Sequence, residues 1–389
     1  MLTPPPLSLY VHLPWCVRKC PYCDFDSHEA RGALPFAAYV DALLADLDHD
    51  LPLVRDRTIH SVFFGGGTPS LFPADAIDRF LAEAAARLRF APGLEITLET
   101  NPGTAEHGRF GDYRRAGVNR ISFGIQSFDD ATLARLGRIH DSAQAEAAVK
   151  LAQDAGVDNL NLDLMYALPA QTRAMAEHDI ARAVALQPAH ISHYQLTLEP
   201  NTVFAANPPP DLPDEDTAWD IQERCQDLLA TAGYAQYEVS AYARDGRQCA
   251  HNLNYWRFGD YLGIGAGAHG KLTLPVAGNV PDPRGPILRR WKHKHPTAWL
   301  AAAGTDAAIG GDERIDAARR PFEYMLNALR LNDGFALAEF EARTGLARAD
   351  IAARLADASA RGWLRVDGGH VRPTALGRRF GNDVIALFL

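Results

Sequence analysis

The first half of the chain repeats a short apolar segment followed by a helical pattern, and it does so six times. The apolar segments, which we interpret as strands, are residues 7–13, 59–64, 94–99, 120–124, 159–164 and 190–196. Apolar residues recur at helical spacing in segments 34–50, 73–88, 104–116, 141–155, 174–186 and 214–232. Strands that alternate with helices form a parallel sheet covered by those helices, so the fold class is α/β. Six units fall short of the eight of a complete TIM barrel, which predicts an open, partial (β/α)6 barrel.

The rest of the chain divides into two further parts. Residues 234–315 form an aromatic-rich connecting region that follows the barrel, which we place at residues 1–233. Residues 316–389 carry helical patterns, then a hairpin signal, Asp-Gly-Gly at 367–369, and a last helix from about Ala375. This order predicts a winged-helix-like α+β module at the C-terminus.

Two segments rich in Pro or Gly are expected to be loops. Residues 198–215 are predicted to cross the barrel mouth, and residues 275–287 are predicted to be exposed.

Charge and composition exclude several classes of protein. The net charge is −9 and the isoelectric point is near 5.9, which argues against a general nucleic-acid binder. Residues 316–389 hold eleven Arg and nine Asp or Glu, too balanced for a DNA-binding face, so we favour packing or docking to a partner protein. Five cysteines, three of them clustered, form a poor disulfide framework and suit a reducing cytosol. We find no signal-peptide pattern and no apolar run of membrane-spanning length, so we expect a cytoplasmic protein without a transmembrane segment.

The clustered cysteines lie just after the first strand. Cys16, Cys20 and Cys23 form a Cys-x3-Cys-x2-Cys run, and three thiolates this close can converge on an iron–sulfur cluster. Phe25 and Ser27 stand where a fourth cysteine would lie, so a four-iron cluster here would keep one iron open to a non-protein ligand.

Two other interpretations of the cysteines stay open at this point. A structural zinc site needs a second ligand pair, but Cys225 and Cys249 are far apart in sequence. The three cysteines could also be unrelated core residues.

Glycines and polar residues follow the predicted strands at their carboxyl ends, where the active sites of such sheets lie. The run Gly-Gly-Gly-Thr-Pro-Ser at 65–70 follows the second strand, and its backbone N–H groups can approach a ligand closely, although it could be a plain tight turn. Other side chains at or after strand ends are Glu99, Gln126, Arg138 and Asp163. Each could be a helix cap or surface residue, but together they predict a ligand-binding set.

The cysteine spacing, with an aromatic residue at Tyr22, resembles the signature of the radical S-adenosylmethionine (SAM) superfamily. Further segments, GGGTPS, LETNP, SFGIQSF and NLDLMYALP, make the whole chain similar to the oxygen-independent coproporphyrinogen III oxidase family. The resemblance implies a [4Fe-4S] cluster on the three cysteines and one-electron reduction of SAM to methionine and a 5′-deoxyadenosyl radical. It also implies SAM contacts from Tyr10, Tyr22, Gly66, Gly67, Thr68, Glu99, Gln126, Arg138 and Asp163.

Two departures and one motif point to a branch of haem chaperones within that family. The oxidases carry a further cysteine where Phe25 stands, and they have a longer segment before the cluster than the fifteen residues found here. The sequence His251-Asn252-Leu253-Asn254-Tyr255-Trp256 matches the His-Asn-x-x-Tyr-Trp haem motif of the branch. The resemblance therefore implies haem as a ligand and an acceptor haemoprotein as partner, whether or not that acceptor lies at a membrane.

The chemistry of residues 251–256 is compatible with haem, because a neutral imidazole is a good axial ligand and aromatic rings stack on a porphyrin. This interpretation predicts His251 as the iron ligand, with Tyr255 and Trp256 on the porphyrin face and Cys249 as an alternative thiolate ligand. The competing interpretation is that His251 caps a loop and the aromatic residues are core.

A basic stretch at 289–295 could meet haem propionates or an acidic partner, but we interpret it as a solvated face.

The sequence is thus compatible with three functions. The first is a SAM-dependent, cluster-containing haem chaperone, the second is the porphyrinogen oxidase, and the third is a zinc-stabilised scaffold with a docking module.

Overall fold

The computed structural model describes residues 2, 4–103, 109–274 and 285–389, and these residues form a twelve-stranded sheet with helices packed on it. In chain order the strands are β1 (Leu7–Leu13), β2 (Thr58–Gly66), β3 (Arg89–Thr100), β4 (Arg120–Gln126), β5 (Leu160–Tyr166), β6 (His190–Gln195), β7 (Ala235–Glu238), β8 (Ala241–Ala243), β9 (Asp260–Ile264), β10 (His269–Thr273), β11 (Ile287–Lys292) and β12 (Ile309–Ile315). Their order across the sheet is β12-β11-β10-β9-β1-β2-β3-β4-β5-β6-β8-β7.

The six predicted strands are confirmed as a block of parallel neighbours, β1 to β6. Among the described strands the two at the ends of the sheet, β12 and β7, do not pair with each other, so the barrel is open as predicted. Strand β9 extends the parallel block beside β1, whereas the remaining strands pair antiparallel. The carboxyl ends of β1 to β6 therefore meet along one edge.

The described residues of the barrel contain eight helices, of which six correspond to predicted segments and two, Asp130–Arg135 and Val203–Ala206, lie where no helix is predicted. In chain order the eight are α1 (Phe36–Asp50), α2 (Ala74–Arg87), α3 (Phe110–Arg115), α4 (Asp130–Arg135), α5 (Ser142–Asp154), α6 (Arg173–Ala185), α7 (Val203–Ala206) and α8 (Glu215–Thr231). Residues 104–108, the start of the predicted helix 104–116, lie outside the described residues. Side-chain caps explain several starts, since Asp141, Thr172 and Asp214 each accept a backbone N–H in the first turn of the following helix.

A single large core lies between the sheet and these helices. On α1 the side chains of Tyr39, Leu43 and Leu47 are buried, and on α2 those of Ile77 and Phe80. Burial of each such apolar side chain stabilises the fold by about 1.5–3 kcal/mol. This packing holds the parallel strands rigidly beneath the loops at their carboxyl ends.

The region after α8 joins the sheet at both ends rather than forming a separate connection. Strands β7 and β8 extend the β6 edge, and β9 to β12 extend the β1 edge. Two further helices, α9 (Ala250–Trp256) and α10 (Pro296–Ala302), lie between these strands in sequence. The boundary at residue 233 stays a prediction, but the sheet runs across it.

The interpretation of the basic stretch as a solvated face is wrong for Arg290 and Lys292 in β11. Lys292 is buried and its Nζ lies 2.5 Å from an Asp46 oxygen and 2.7 Å from an Asp50 oxygen. Arg290 Nη1 lies 2.8 Å from the other Asp50 oxygen. Because carboxylates of α1 neutralise these cations, a strand with a basic sequence can be buried.

Residues 275–284 of the loop predicted to be exposed lie outside the described residues. The prediction does not hold at its last residue, because Ile287 is fully buried at the start of β11.

The C-terminal module has the predicted order of three helices, a hairpin and further helix. Its elements are α11 (Arg320–Ala328), β13 (Phe335–Ala336), α12 (Leu337–Thr344), α13 (Ala352–Ala360), β14 (Leu364–Asp367), β15 (His370–Pro373), α14 (Ala375–Arg379) and α15 (Gly381–Ala386). Its core, around Tyr324 and Phe340, also contains Ile287 and Ile315 from the large sheet, so the module is packed against that sheet. Within the described part of the chain, none of the helices has the length and apolar character needed to span a bilayer.

Candidate functional site

A cavity of about 320 Å³ opens at the carboxyl ends of the parallel strands. The predicted site residues that line it are Cys16, Cys20, Tyr22, Cys23, Gly66, Gly67, Glu99, Gln126, Arg138 and Asp163. These residues are up to 147 positions apart in sequence, and the parallel sheet brings them to one place. The segment after β6 closes one side through Leu196, Thr197 and Glu199. Of these, Glu199 belongs to the loop predicted at 198–215, which also contains the short helix α7.

The three clustered cysteines lie at this cavity as unpaired thiols. Cys16 is buried, whereas Cys20 and Cys23 are partly exposed, and none forms a disulfide. Burial raises the pKa of Cys16 to about 11 and also raises that of Cys23. In the described residues no three His, Cys, Asp or Glu side chains converge closely enough to hold one metal ion. A mononuclear site gathers its ligands around one ion, whereas a four-iron cluster takes its cysteines on separate irons.

The cysteine loop is held in shape by contacts with its own backbone. Lys19 Nζ donates to the carbonyl oxygens of Phe25 at 2.9 Å and Ser27 at 3.2 Å. Arg138 Nη1 lies 3.3 Å from Cys20 Sγ, and its Nη2 donates to Gly124 O in β4 at 2.5 Å, which links the loop to that strand. The loop thus presents its sulfur atoms in a fixed frame.

The glycine run packs directly on the cysteine loop. The Gly67 N–H donates to Leu13 O at 2.9 Å, and a Cβ atom on Gly67 would lie only 2.5 Å from Trp15 O. Gly66 has a φ of +116°, a conformation that glycine adopts readily, and its N–H donates to Glu99 at 3.3 Å. The glycines are therefore required for the close approach of two backbones, which a plain tight turn would not need.

Two carboxyl groups line the cavity wall. Burial, with the nearby Asp163 charge, raises the pKa of Glu99 to about 8. Burial also raises the pKa of Asp163, although Ser122 at 3.1 Å and Asn161 at 2.8 Å donate to its oxygens. A cationic or hydroxyl-rich ligand would satisfy such carboxyl groups.

Gln126 is held in a strained conformation at the end of β4. Its φ is +75°, which is unusual for a residue other than glycine, and Tyr194 donates to its side-chain oxygen at 2.7 Å. Backbone strain of this kind is often found at functional sites. Tyr194 is not among the side chains predicted from the sequence, although its position near the end of β6 follows the same strand-end pattern.

Two predicted SAM contacts lie behind the cavity wall rather than on it. Tyr10 donates to or accepts from His12 Nδ1 at 3.0 Å, and Thr68 accepts from Asn101 Nδ2 at 2.7 Å. Thr68 lines a small pocket beside Cys20 and Arg138.

The predicted haem motif forms helix α9, which packs against β1, β2 and β9. His251 is 3% exposed, its Nδ1 lies 3.1 Å from Ser61 Oγ, and its ring stacks on Phe63 at 4.8 Å. Burial lowers the pKa of His251 to about 3, so the imidazole is neutral. A neutral imidazole suits haem iron, but this one is enclosed by protein, so the conformation described does not fit axial ligation by His251.

The other candidates in this stretch are also engaged within the protein. Tyr255 stacks on Tyr261 with ring centres 4.1 Å apart, and Arg330 lies 4.3 Å over the Trp256 ring. Cys249 is buried, which raises its pKa to about 11. The geometry therefore favours the interpretation in which His251 and Cys249 are core residues, while Tyr255 and Trp256 are partly buried against neighbouring side chains.

Two family models and several named relatives match this chain. Residues 10–183 match the Radical SAM superfamily, and residues 315–380 match the HemN C-terminal domain. The chain is 48% identical to "Heme chaperone HemW" of Escherichia coli K12, covering 100% of both chains, and 48% identical to that of Haemophilus influenzae, covering 99% of this chain and 98% of the relative. Identity to the Mycobacterium tuberculosis protein of the same name is 32%, over 99% of this chain and 95% of the relative.

The solved structure of coproporphyrinogen III oxidase (HemN) from E. coli shares the fold, with a TM-score of 0.81, 24% identity, and coverage of 99% of this chain and 90% of that one. Since identity to three relatives extends over nearly the whole length of both chains, this protein belongs to the HemW family within the radical SAM superfamily.

Proposed function

We propose that the protein is a haem chaperone that carries a [4Fe-4S] cluster on Cys16, Cys20 and Cys23 and binds SAM in the adjoining cavity. The observation that carries the proposal is the meeting of three unpaired cysteines with a polar cavity at the strand ends, in a chain whose full-length relatives are named heme chaperones. When bound, the cluster and SAM would supply one-electron reductive chemistry.

The residues around the cavity fit SAM by the chemistry of their groups. Glu99 suits the amino group, Arg138 suits the carboxylate, and Asp163 suits ribose hydroxyl groups. Gly66 and Gly67 leave room for close approach to the backbone, while Tyr22 and Gln126 complete the lining. Tyr10 and Thr68 support this wall from behind.

An apolar rim around the cavity mouth suits a flat hydrophobic ligand. Phe25, which stands at the position of the oxidases' further cysteine, lines the cavity and is 59% exposed. Val17, Ile139, Leu198 and Val203 are also exposed and lie on segments that border the mouth or the adjoining pocket. In this proposal the haem contacts the rim, and Arg18 is placed to meet a propionate.

Haem titration of the anaerobically reconstituted protein, followed by visible absorption, tests the proposal. We expect saturable binding, and Phe25→Ser should weaken it about tenfold or more, since burial of a Phe side chain contributes about 1.5–3 kcal/mol. Val366→Ser is the matched control, because Val366 is 43% exposed on the distant C-terminal hairpin. Absence of haem binding by the reconstituted wild-type protein would refute the proposed function.

The oxidase remains the second candidate because of the shared fold. Release of carbon dioxide and formation of protoporphyrinogen from coproporphyrinogen III by the purified protein would establish it in place of the chaperone. We expect neither product.

The proposal includes transfer of haem to an acceptor haemoprotein in the cytoplasm or at a membrane surface, with the C-terminal module as the docking part. Transfer from the haem-loaded protein to an added apo-haemoprotein should be faster than uptake of free haem aggregates. Equal rates would remove the transfer step from the proposal.

A further inference from the structure

Helix α9 is joined to strands β1 and β2 by a chain of three hydrogen bonds, two of them buried and one partly buried. His251 Nδ1 lies 3.1 Å from Ser61 Oγ, Ser61 Oγ lies 2.8 Å from Ser8 Oγ, and Asn254 Nδ2 donates to Ser8 Oγ at 2.9 Å. His251 and Asn254 are three residues apart, so they lie on one face of the helix. Ser8 and Ser61 are direct partners in the register of β1 and β2. The helix therefore clamps this pair of strands.

The two clamped strands are the ones that lead into the proposed cofactor site. Strand β1 continues into the cysteine loop at Cys16, and β2 ends at Gly66. No other pair of neighbouring strands in the described sheet carries both of these loops. A displacement of α9 would thus be transmitted to the cysteines and the glycine run together.

A second layer of contacts joins the clamp to the site. Two residues beyond the serines on the same face, the rings of Tyr10 and Phe63 lie 6.2 Å and 4.8 Å from the His251 ring. The Tyr10 hydroxyl lies 3.0 Å from His12 Nδ1, and His12 Nε2 lies 2.8 Å from the Asp26 carbonyl oxygen in the cysteine loop. A Cβ atom on Gly66 would lie 2.7 Å from the His12 ring, so this imidazole also abuts the glycine run.

The packing is tight enough to transmit such a displacement. A Cβ atom on Gly65 would lie 3.0 Å from both the Tyr10 and the Phe63 rings. Ser8, Ser61 and His251 are at most 3% exposed, so water does not replace a lost partner easily. Packed side chains with no free volume pass on small shifts rather than absorb them.

We infer that His251 and Asn254 are positioning residues for the cluster and SAM site, acting through Ser61, Ser8, Tyr10 and His12, and that His251 does not ligate haem iron. The inference rests on the cluster and SAM site of the proposed function. It assigns the predicted haem motif to the support of the cysteine and glycine loops.

Three substitutions test it on the reconstituted holoprotein. His251→Leu keeps bulk but removes the hydrogen bond to Ser61. We expect the Kd for SAM to rise about tenfold, because the strands that carry the cysteine loop and the glycine run lose a contact that fixes their positions. His251→Asn retains a polar atom near the position of Nδ1 and should restore SAM affinity to within about threefold of wild type. Ser61→Ala breaks the same chain with a smaller risk to folding, and its effect should not add to that of His251→Leu.

The readouts separate positioning from ligation and from a loss of stability. With SAM present, the electron paramagnetic resonance spectrum of the reduced cluster should change in His251→Leu and return toward wild type in His251→Asn. Haem affinity and the Soret maximum should stay unchanged in all three variants. Thr344→Val is the control, because it removes a buried hydroxyl that donates to Phe340 O at 2.6 Å in the C-terminal module, and it should leave SAM affinity unchanged.

The inference is overturned if the His251 variants lose haem or shift the Soret band while SAM affinity stays at the wild-type value. It is also overturned if wild type binds SAM and His251→Leu and Ser61→Ala bind it equally well. A wild-type protein that holds no cluster or does not bind SAM would overturn the proposed function and the inference with it.

Discussion

The cysteine loop and helix α9 contain the two motifs that most strongly indicate ligand binding in the sequence, yet their side chains differ in exposure. In the loop, Cys20 and Cys23 are partly exposed beside an open cavity, and Phe25 is exposed. In the helix, His251 is buried and its Nδ1 has a protein partner. The Cys20 and Cys23 thiols are accessible to a ligand, whereas the His251 imidazole already has a hydrogen-bond partner within the protein. The difference distinguishes a site from its scaffold, which residue type alone does not.

The largest effect is expected from substitution of the three clustered cysteines. We expect Cys16→Ser, Cys20→Ser and Cys23→Ser each to abolish the iron–sulfur absorbance of the reconstituted protein, since each removes one thiolate ligand. Cys225→Ser is the control, because Cys225 is buried in α8. Iron and acid-labile sulfide analysis checks the result, and an intact cluster in any of the three variants would contradict the assignment.

A smaller but still large effect is expected where the glycine run meets the cysteine loop. Gly67→Ala would place a methyl group 2.5 Å from Trp15 O, and it should lower the free energy of unfolding by about 1–3 kcal/mol and weaken SAM binding. Urea unfolding measures the first effect and equilibrium binding the second. Gly381→Ala has open space around its Cβ position and should change neither.

In helix α9, His251 should make the free energy of unfolding fall at acidic pH. Burial lowers the pKa of His251 to about 3, so the unfolded chain binds its proton first and stability is lost as the pH falls below about 6.5. Between pH 6.5 and pH 5 this loss is about 2 kcal/mol, and His251→Asn should remove it. Urea unfolding at both pH values checks the prediction. Equal pH dependence in the two proteins would mean that His251 is not buried as a neutral group.

The cavity should show the opposite pH dependence. Burial and the Asp163 charge raise the pKa of Glu99 to about 8, so in the ligand-free protein Glu99 contributes stability that is present at low pH and lost as the pH rises toward 8. The slope is at most about 1 kcal/mol per pH unit, because Glu99 is partly open to the cavity.

In the ligand-free protein, Glu99→Gln should make the free energy of unfolding less dependent on pH between pH 5 and pH 8. Asp163→Asn is the companion variant, since it should bring the Glu99 pKa closer to its ordinary value. An unchanged pH dependence of the free energy of unfolding in Glu99→Gln would show that another group titrates in this range.

Local patterns were enough for the barrel and for most of the cavity. The six strands and six of the helices follow from apolar periodicity, and Glu99 follows from its place at the end of β3. Asp163 also lines the cavity, although β5 continues to Tyr166 and Asp163 lies within the strand rather than at its end. These inferences succeed because parallel strands bring their carboxyl ends to one edge whatever the details of packing.

Strand β11 could not be recognised in the same way. Its sequence, Ile-Leu-Arg-Arg-Trp-Lys, does not look like a buried strand, and only the carboxylates of Asp46 and Asp50, more than 240 positions away, make burial of Lys292 possible. Charge compensation between distant residues is invisible to a local pattern. Local patterns likewise did not predict that strands β7 to β12 extend the sheet.

The sequence by itself determined the strand–helix order, the cysteine spacing and the identity of the groups at the strand ends, because each depends on residues close in the chain. Only the tertiary structure decided which way helix α9 faces. A histidine beside two aromatic residues suits a haem as well as it suits a core, and burial depends on Ser61, Phe63 and other residues from distant strands. The physical reason is that a side chain can bind a ligand only if it stays accessible in the folded protein. Which partners surround it is decided only when the chain folds.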